Sequence, residues 1–185
     1  MFKNYFLYVA LFCGLLIFLT FIKFKKEKFV FFISENNLSG MNHSIQISKD
    51  EKFIIAPHTI DHNSILKLKK SLKKETILYS EKEGKNLSEY TVFIIDTIGL
   101  LTKIYSYADA AYVGGGFRTG LHNILEPATF GIPVVIGPVY NKFKEAVDLV
   151  NLGGCISVGN QSAFSNTFNK LKNDIHNATI GVFVV

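Results

Sequence analysis

The chain has 185 residues, 48% hydrophobic and 19% charged, a composition that suits one folded domain with an appendage and excludes a disordered chain. Lys and Arg outnumber Asp and Glu by 20 to 15, yet Arg118 is the single arginine. Surfaces that read bases lean on the flat guanidinium fork, so this balance argues against nucleic acid and for an anionic membrane face or phosphate-bearing substrates.

Residues 5–22 form an uncharged apolar run, YFLYVALFCGLLIFLTFI, whose 18 residues are about the shortest stretch able to cross a bilayer core. Lys3 precedes it and Lys23, Lys25, Lys26 and Lys28 follow it. The larger positive cluster predicts a membrane-anchor helix over residues 1–28, with the rest of the chain in the cytoplasm. No small-x-small cleavage site follows the run, which argues against a signal peptide. A buried core helix and a mis-assigned start are the competing readings. Residues 29–50 open on FVFFI, which fits a short strand, and continue polar and turn-rich; they read as a linker or the remnant of something larger. Cys13 and Cys155 lie in unrelated contexts without ligand spacing, and read as reduced structural thiols.

From residue 51 onward the chain alternates. Strands are predicted at 52–56, 76–79, 91–95, 110–113, 134–136 and 155–158, and helices near 64–74, 100–107, 123–130, 142–149 and 161–173. Several strands are continuous apolar runs (FIIA, VFII, PVVIG), as parallel strands covered on both faces should be. The expectation is a single Rossmann-like, doubly wound parallel sheet over 51–185. Ligands of such sheets sit at the carboxyl ends of the strands, which directs attention to Pro57-His58-Thr59, to Asp96 through Gly99, to Gly114 through Asn123, and to Gly137-Pro138.

Gly114-Gly115-Gly116 permits close backbone approach or positive φ, although a plain tight turn explains it equally and the spacing is not a dinucleotide fingerprint. His122 and Asn123 stand where a helix should begin, with Glu126 three residues beyond Asn123. Two readings stay open. The pair caps its own helix, or the helix start faces phosphate while Glu126 accepts hydrogen bonds from ribose hydroxyls. Asp96 caps the next helix or shapes a turn that offers N–H groups to a ligand. His58 is an ordinary surface histidine or a ligand contact. No catalytic triad, metal-ligand cluster or P-loop pattern appears.

Taken together, APHTID, DTIGLLTKIYSYADAAYVGGGF and GLHNILEPATFGIPVVIGPVYNKFKEA resemble the C-terminal half of 3-deoxy-D-manno-octulosonic acid (Kdo) transferases of lipopolysaccharide synthesis, in the form found in the Bacteroidetes lineage. The similarity spans about residues 52–175 and is most specific over 96–146. It implies the C-terminal domain of a GT-B glycosyltransferase, binding the donor substrate CMP-Kdo with no cofactor or metal. By the resemblance, Pro57 and His58 lie by the cytosine and phosphate, and the backbone at Ile98, Gly99 and Leu100 faces the nucleotide. Gly115 and Gly116 line the cleft, His122 and Asn123 meet phosphate or the sugar carboxylate, Glu126 meets the ribose, and Asn141 and Phe143 stand at the cleft edge.

The implied reaction is transfer of Kdo to a lipid A precursor at the cytoplasmic face of the inner membrane, to which residues 5–22 would anchor the chain. The pattern departs from the family in three respects. Nothing here corresponds to the N-terminal domain with its catalytic Glu base, so a separate chain or a longer parent would have to supply it. Thr59 replaces a basic phosphate contact, and the sequence stops inside the family's last helix. The chain alone is therefore expected to be inactive as a transferase. The alternatives are a truncated, non-catalytic fragment that binds CMP or CMP-Kdo at most, and another GT-B transferase using a UDP-sugar.

Overall fold

The computed structural model describes residues 29–34, 51–117 and 120–176. Seven strands form one sheet: β1 (Phe29–Ser34), β2 (Glu51–Ile55), β3 (Thr76–Leu78), β4 (Val92–Ile94), β5 (Ala110–Val113), β6 (Val134–Ile136) and β7 (Cys155–Ser157). Their spatial order is β3-β4-β2-β1-β5-β6-β7, and every neighbouring pair is parallel. From β1 the chain moves outward through β2 to β4 and β3, whereas from β5 it moves the other way to β6 and β7. The winding thus reverses between β1 and β5, the place where doubly wound sheets open a crevice.

Alternation along the strands explains the layers. Phe53 and Ile55 join a core with Ile65 of α1 (His62–Ser71) and with Phe164, Phe168 and Leu171 of α5 (Gln161–His176). Ile54 and Ala56 point the other way, into a core with Ile104 of α2 (Leu101–Ile104) and Tyr105 of the following 3-10 turn. Ala146 and Leu149 of α4 (Lys144–Asn151) cover Val134 and Ile136 on that side. The ring of Phe53 stacks on Phe168 at 5.8 Å, and Tyr112 meets Phe164 edge-on at 5.5 Å. Such pairs add about 1 kcal/mol each beyond the area they bury.

Local chemistry sets the helix limits. Asp61 caps α1 by accepting from the Ser64 N–H at 2.9 Å, and hydrogen bonding by Ser64 holds its carboxyl below the usual range. Helix α3 (Leu125–Thr129) tolerates Pro127 because it lies in the first turn, and ends at Gly131 with φ +66°. Burial pushes the Cys155 thiol up to about 12, so it is inert at neutral pH.

The α/β parallel sheet expected from the sequence is present, with one change in extent. The segment 29–50, read as linker or remnant, contributes β1 to the middle of the sheet, in register with both neighbours (Phe31 opposite Phe53 and Ala110). Residues 35–50 and the apolar run 5–22, with its expected anchor helix, lie outside the described residues. Among the described residues no helix is long and apolar enough to cross a membrane. The helix expected at 100–107 is α2 plus the 3-10 turn Tyr105–Tyr107, and that at 123–130 is shorter, as α3.

At the amino end of β2, Glu51 is fully buried and its Oε1 accepts from Lys172 Nζ at 2.6 Å, pinning α5 to the sheet. Lys172→Met removes the ammonium that meets this buried carboxylate, which should cost about 3 kcal/mol. Urea unfolding of the variant should show a clearly lowered midpoint, partly restored by adding Glu51→Gln. An unchanged midpoint in the single variant would remove this pair from the account of how α5 is held.

Candidate functional site

Because all strands run the same way, the turns that follow them gather on one edge. After β2 come half-buried Pro57 and exposed His58; after β5 the chain turns through Gly114-Gly115-Gly116 and returns to His122. The imidazoles of His58 and His122 stack at 4.6 Å with 23° between their planes. Since β1 lies between β2 and β5, this contact spans the carboxyl end of β1, at the point of reversal. The two histidines that the sequence left as separate candidates thus form one feature.

The glycine loop closes on itself. Gly115 O accepts from Gly120 N at 3.2 Å and Gly114 O from His122 N at 3.1 Å. Gly115 has φ +89°, and a Cβ there would fall 1.9 Å from Gly120 O, so glycine is required. Gly116 lies directly against Gly137 of the turn after β6: a Cβ on Gly137 would stand 2.5 Å from the Gly116 carbonyl carbon. Val139 N donates to Gly116 O at 2.8 Å across the same seam. Close backbone approach is therefore the reason for these glycines, and the tight-turn reading describes only part of the loop.

Asn123 and Glu126 resolve into a joint arrangement. Asn123 Oδ1 accepts from Leu125 N at 3.0 Å, at the start of α3, and its Nδ2 donates to Glu126 Oε1 at 3.2 Å. Asn123 thus meets the first N–H of α3 from just outside the helix, whose N-cap position is taken by Ile124. The same amide also fixes one carboxylate oxygen of half-buried Glu126, which acts on a side chain and not on backbone as a capping box would.

Tyr105, buried in the turn after α2, has its hydroxyl raised above the ordinary range, first by burial and then by the charge of Glu126. Its ring lies 6.2 Å from Phe130 at the end of α3. These contacts bring α2, with Gly99 (φ +87°) and Leu100 at its start, beside α3. Pattern reading missed Tyr105, which looks like core; its one signal is a polar tip in an otherwise buried aromatic.

Ile98 is 86% exposed in the turn before α2. Asn141 is exposed in the turn before α4, and its neighbour Phe143 comes within 3.7 Å of where a Gly120 Cβ would lie. Asp96 does not cap the next helix: its carboxylate accepts from the N–H (3.0 Å) and hydroxyl of Ser80, after β3. Arg118 and Thr119 lie outside the described residues. No group of three or more His, Cys, Asp or Glu able to hold a metal occurs among the described residues.

The edge thus presents two imidazoles, a carboxylate oriented by an amide, and glycine backbone. Imidazole and helix-start N–H groups suit phosphate, and an oriented carboxylate suits paired hydroxyls.

The structure is similar to the C-terminal CMP-Kdo binding domain of WaaA from Acinetobacter baumannii, with a TM-score of 0.71 and 19% identity, covering 86% of this chain and 92% of that one. It is similar, more distantly, to the α,α-trehalose 6-phosphate synthase of Burkholderia multivorans, with a TM-score of 0.52 and 9% identity over 86% and 40% of the two chains. No family model matches the chain.

By sequence the relatives are Kdo transferases, as the motifs led one to expect. The chain is 35% identical to the 3-deoxy-D-manno-octulosonic acid transferase of Chlamydophila psittaci over 116 residues, 60% of this chain and 26% of that one. It is 31% identical to the enzyme of the same name from Aquifex aeolicus over 105 residues, 56% and 28%. The chain spans about a quarter of the length of these curated relatives.

Gly137→Ala should force the loops after β5 and β6 apart. Overpacking of this kind costs about 1–3 kcal/mol. The urea midpoint should fall and ligand binding at the edge should weaken with it; a variant as stable as the parent would show that the glycine seam is loose.

Proposed function

We propose that this chain supplies the CMP-Kdo-binding half of a glycosyltransferase that transfers Kdo to a lipid A precursor. The observation that carries the proposal is the His58–His122 stack over the carboxyl end of β1, with Glu126 held by Asn123 on the same loop-and-helix segment. The Kdo transferase relatives and the WaaA domain support the choice of donor.

In this reading Pro57 and His58 flank the cytosine and phosphate, and His122 faces the phosphate or sugar carboxylate. The start of α2, at Ile98, Gly99 and Leu100, offers backbone N–H groups to the nucleotide. Gly115 and Gly116 let the donor approach the backbone, Glu126 receives the ribose hydroxyls through the oxygen that Asn123 leaves available, and Asn141 closes the rim. Asn123 acts through Glu126.

Transfer breaks the bond between the Kdo anomeric carbon and the CMP phosphate and forms one to an acceptor hydroxyl. A general base outside the described residues, in another domain or a partner chain, takes the acceptor's proton. CMP leaves as the phosphate monoester anion, which the histidine pair and helix starts stabilise. CMP-Kdo is a substrate, and the reading invokes no cofactor or metal. The acceptor is lipid-linked, so the site of action is the cytoplasmic face of the inner membrane. Residues 5–22 serve there as a single-pass anchor.

Calorimetric titration with CMP tests the donor site. Glu126→Ala should weaken binding about tenfold or more, the loss of hydrogen bonds to a charged acceptor worth about 1.5–3 kcal/mol. Asn123→Ala should weaken it less, by loosening the carboxylate. Equal affinity in Glu126→Ala and parent would take Glu126 out of the ribose role.

A further inference from the structure

Residues 62–74 carry Lys67, Lys69, Lys70, Lys73 and Lys74 and no acid, as many positive charges as the +5 excess of the whole chain. Ile65 of α1 is buried in the core, and Leu68 and Leu72 pack beside it. At about 100° per residue, Lys67 and Lys70 therefore fall on the far side of the helix. Both are exposed, as are Lys73 and Lys74 in the connection to β3 and Lys170 on α5, which covers the same face of the sheet. Lys69 turns aside to Glu81 at 2.6 Å. Helix α1 starts at the carboxyl edge and runs back against the strands, so its lysine-rich end lies toward the amino edge, away from His58 and His122. Like charges three residues apart, as at Lys67 and Lys70, destabilise a helix. Lys69 and Lys70 lie in the last turn of α1, where a cation favours the helix dipole, but Lys67 and Lys73 lie outside that turn.

We propose that the outer face of α1 docks on an anionic phospholipid surface. Lysines are compact charges on flexible stems, suited to a diffuse array of headgroup phosphates. Residues 62–74 contain no Phe, Tyr or Trp and no arginine, the groups that stack on or fork to bases, so a lipid surface fits better than RNA. Lying on this face, the domain keeps the carboxyl edge of its sheet open sideways along the membrane, within reach of a lipid-linked acceptor. The inference deepens the membrane part of the proposed function and rests on that part alone.

The test is acylation of lysine amines in the full chain, read by mass spectrometry. The chain is reconstituted in vesicles of phosphatidylcholine alone or of phosphatidylcholine mixed with phosphatidylglycerol, and CMP binding is measured on the same vesicles. Lys67, Lys70 and Lys73 should label at least about threefold more slowly in the anionic vesicles, and high salt should abolish the difference. Lys142 and Lys144, exposed before and in α4 on the other face, should label equally in both. Equal labelling of the α1 lysines in the two vesicles overturns the proposal, as does stronger protection of these lysines by single-stranded RNA. Loss of CMP binding alone speaks against the donor site and leaves the α1 result to stand by itself.

Discussion

Seven parallel strands impose one constraint from which the rest of this structure follows: every turn that leaves a strand must leave it on the same edge. The winding reverses between β1 and β5, the switch point at which doubly wound sheets bind ligands. The turn after β2 on one side and the loop after β5 on the other reach back toward each other, and they meet through His58 and His122. A single strand of separation sets that span. Without β1 in the middle of the sheet, β2 and β5 would have to pair directly, and the two rings could not keep the same placement.

Close backbone contacts support this arrangement. Gly120 N donates to Gly115 O, His122 N donates to Gly114 O, and Gly116 lies against Gly137, which places His122 on a defined base. Asn123 carries the order one step further by fixing both the start of α3 and the Glu126 carboxylate. Tyr105 adds the contact that sets α2 beside α3. Positioning of this sort matters in a transferase, where small displacements of the reacting groups forfeit much of the rate.

Much of this was legible in the sequence. The strands at 110–113 and 134–136 coincide with β5 and β6, since strands buried on both faces need unbroken apolar runs. The glycines, His122, Asn123 and Glu126 were legible as a group because a helix start after a strand has few chemical forms. The partnership of β1 with β2 and β5 was not, because FVFFI looks the same in a linker strand as in a central one and pairing across distant segments leaves no local pattern. Asp96 shows the same limit: its nearest sequence role was a cap or turn, but Ser80, sixteen residues earlier, takes its carboxylate. Spacing likewise could not choose between capping and ligand binding at Asn123, where the structure shows one amide serving the helix and the carboxylate together.

Amide spectra of the isotope-labelled chain, recorded during titration with CMP, test most directly whether the carboxyl edge holds the nucleotide. Resonances of His58, Gly99, Leu100, Gly115, Gly116, His122 and Glu126 should move together and saturate at one concentration, while those at the amino edge, such as Glu51, Lys73 and Lys172, stay in place. Shifts concentrated at the amino edge, or none in the loop after β5, would contradict the account.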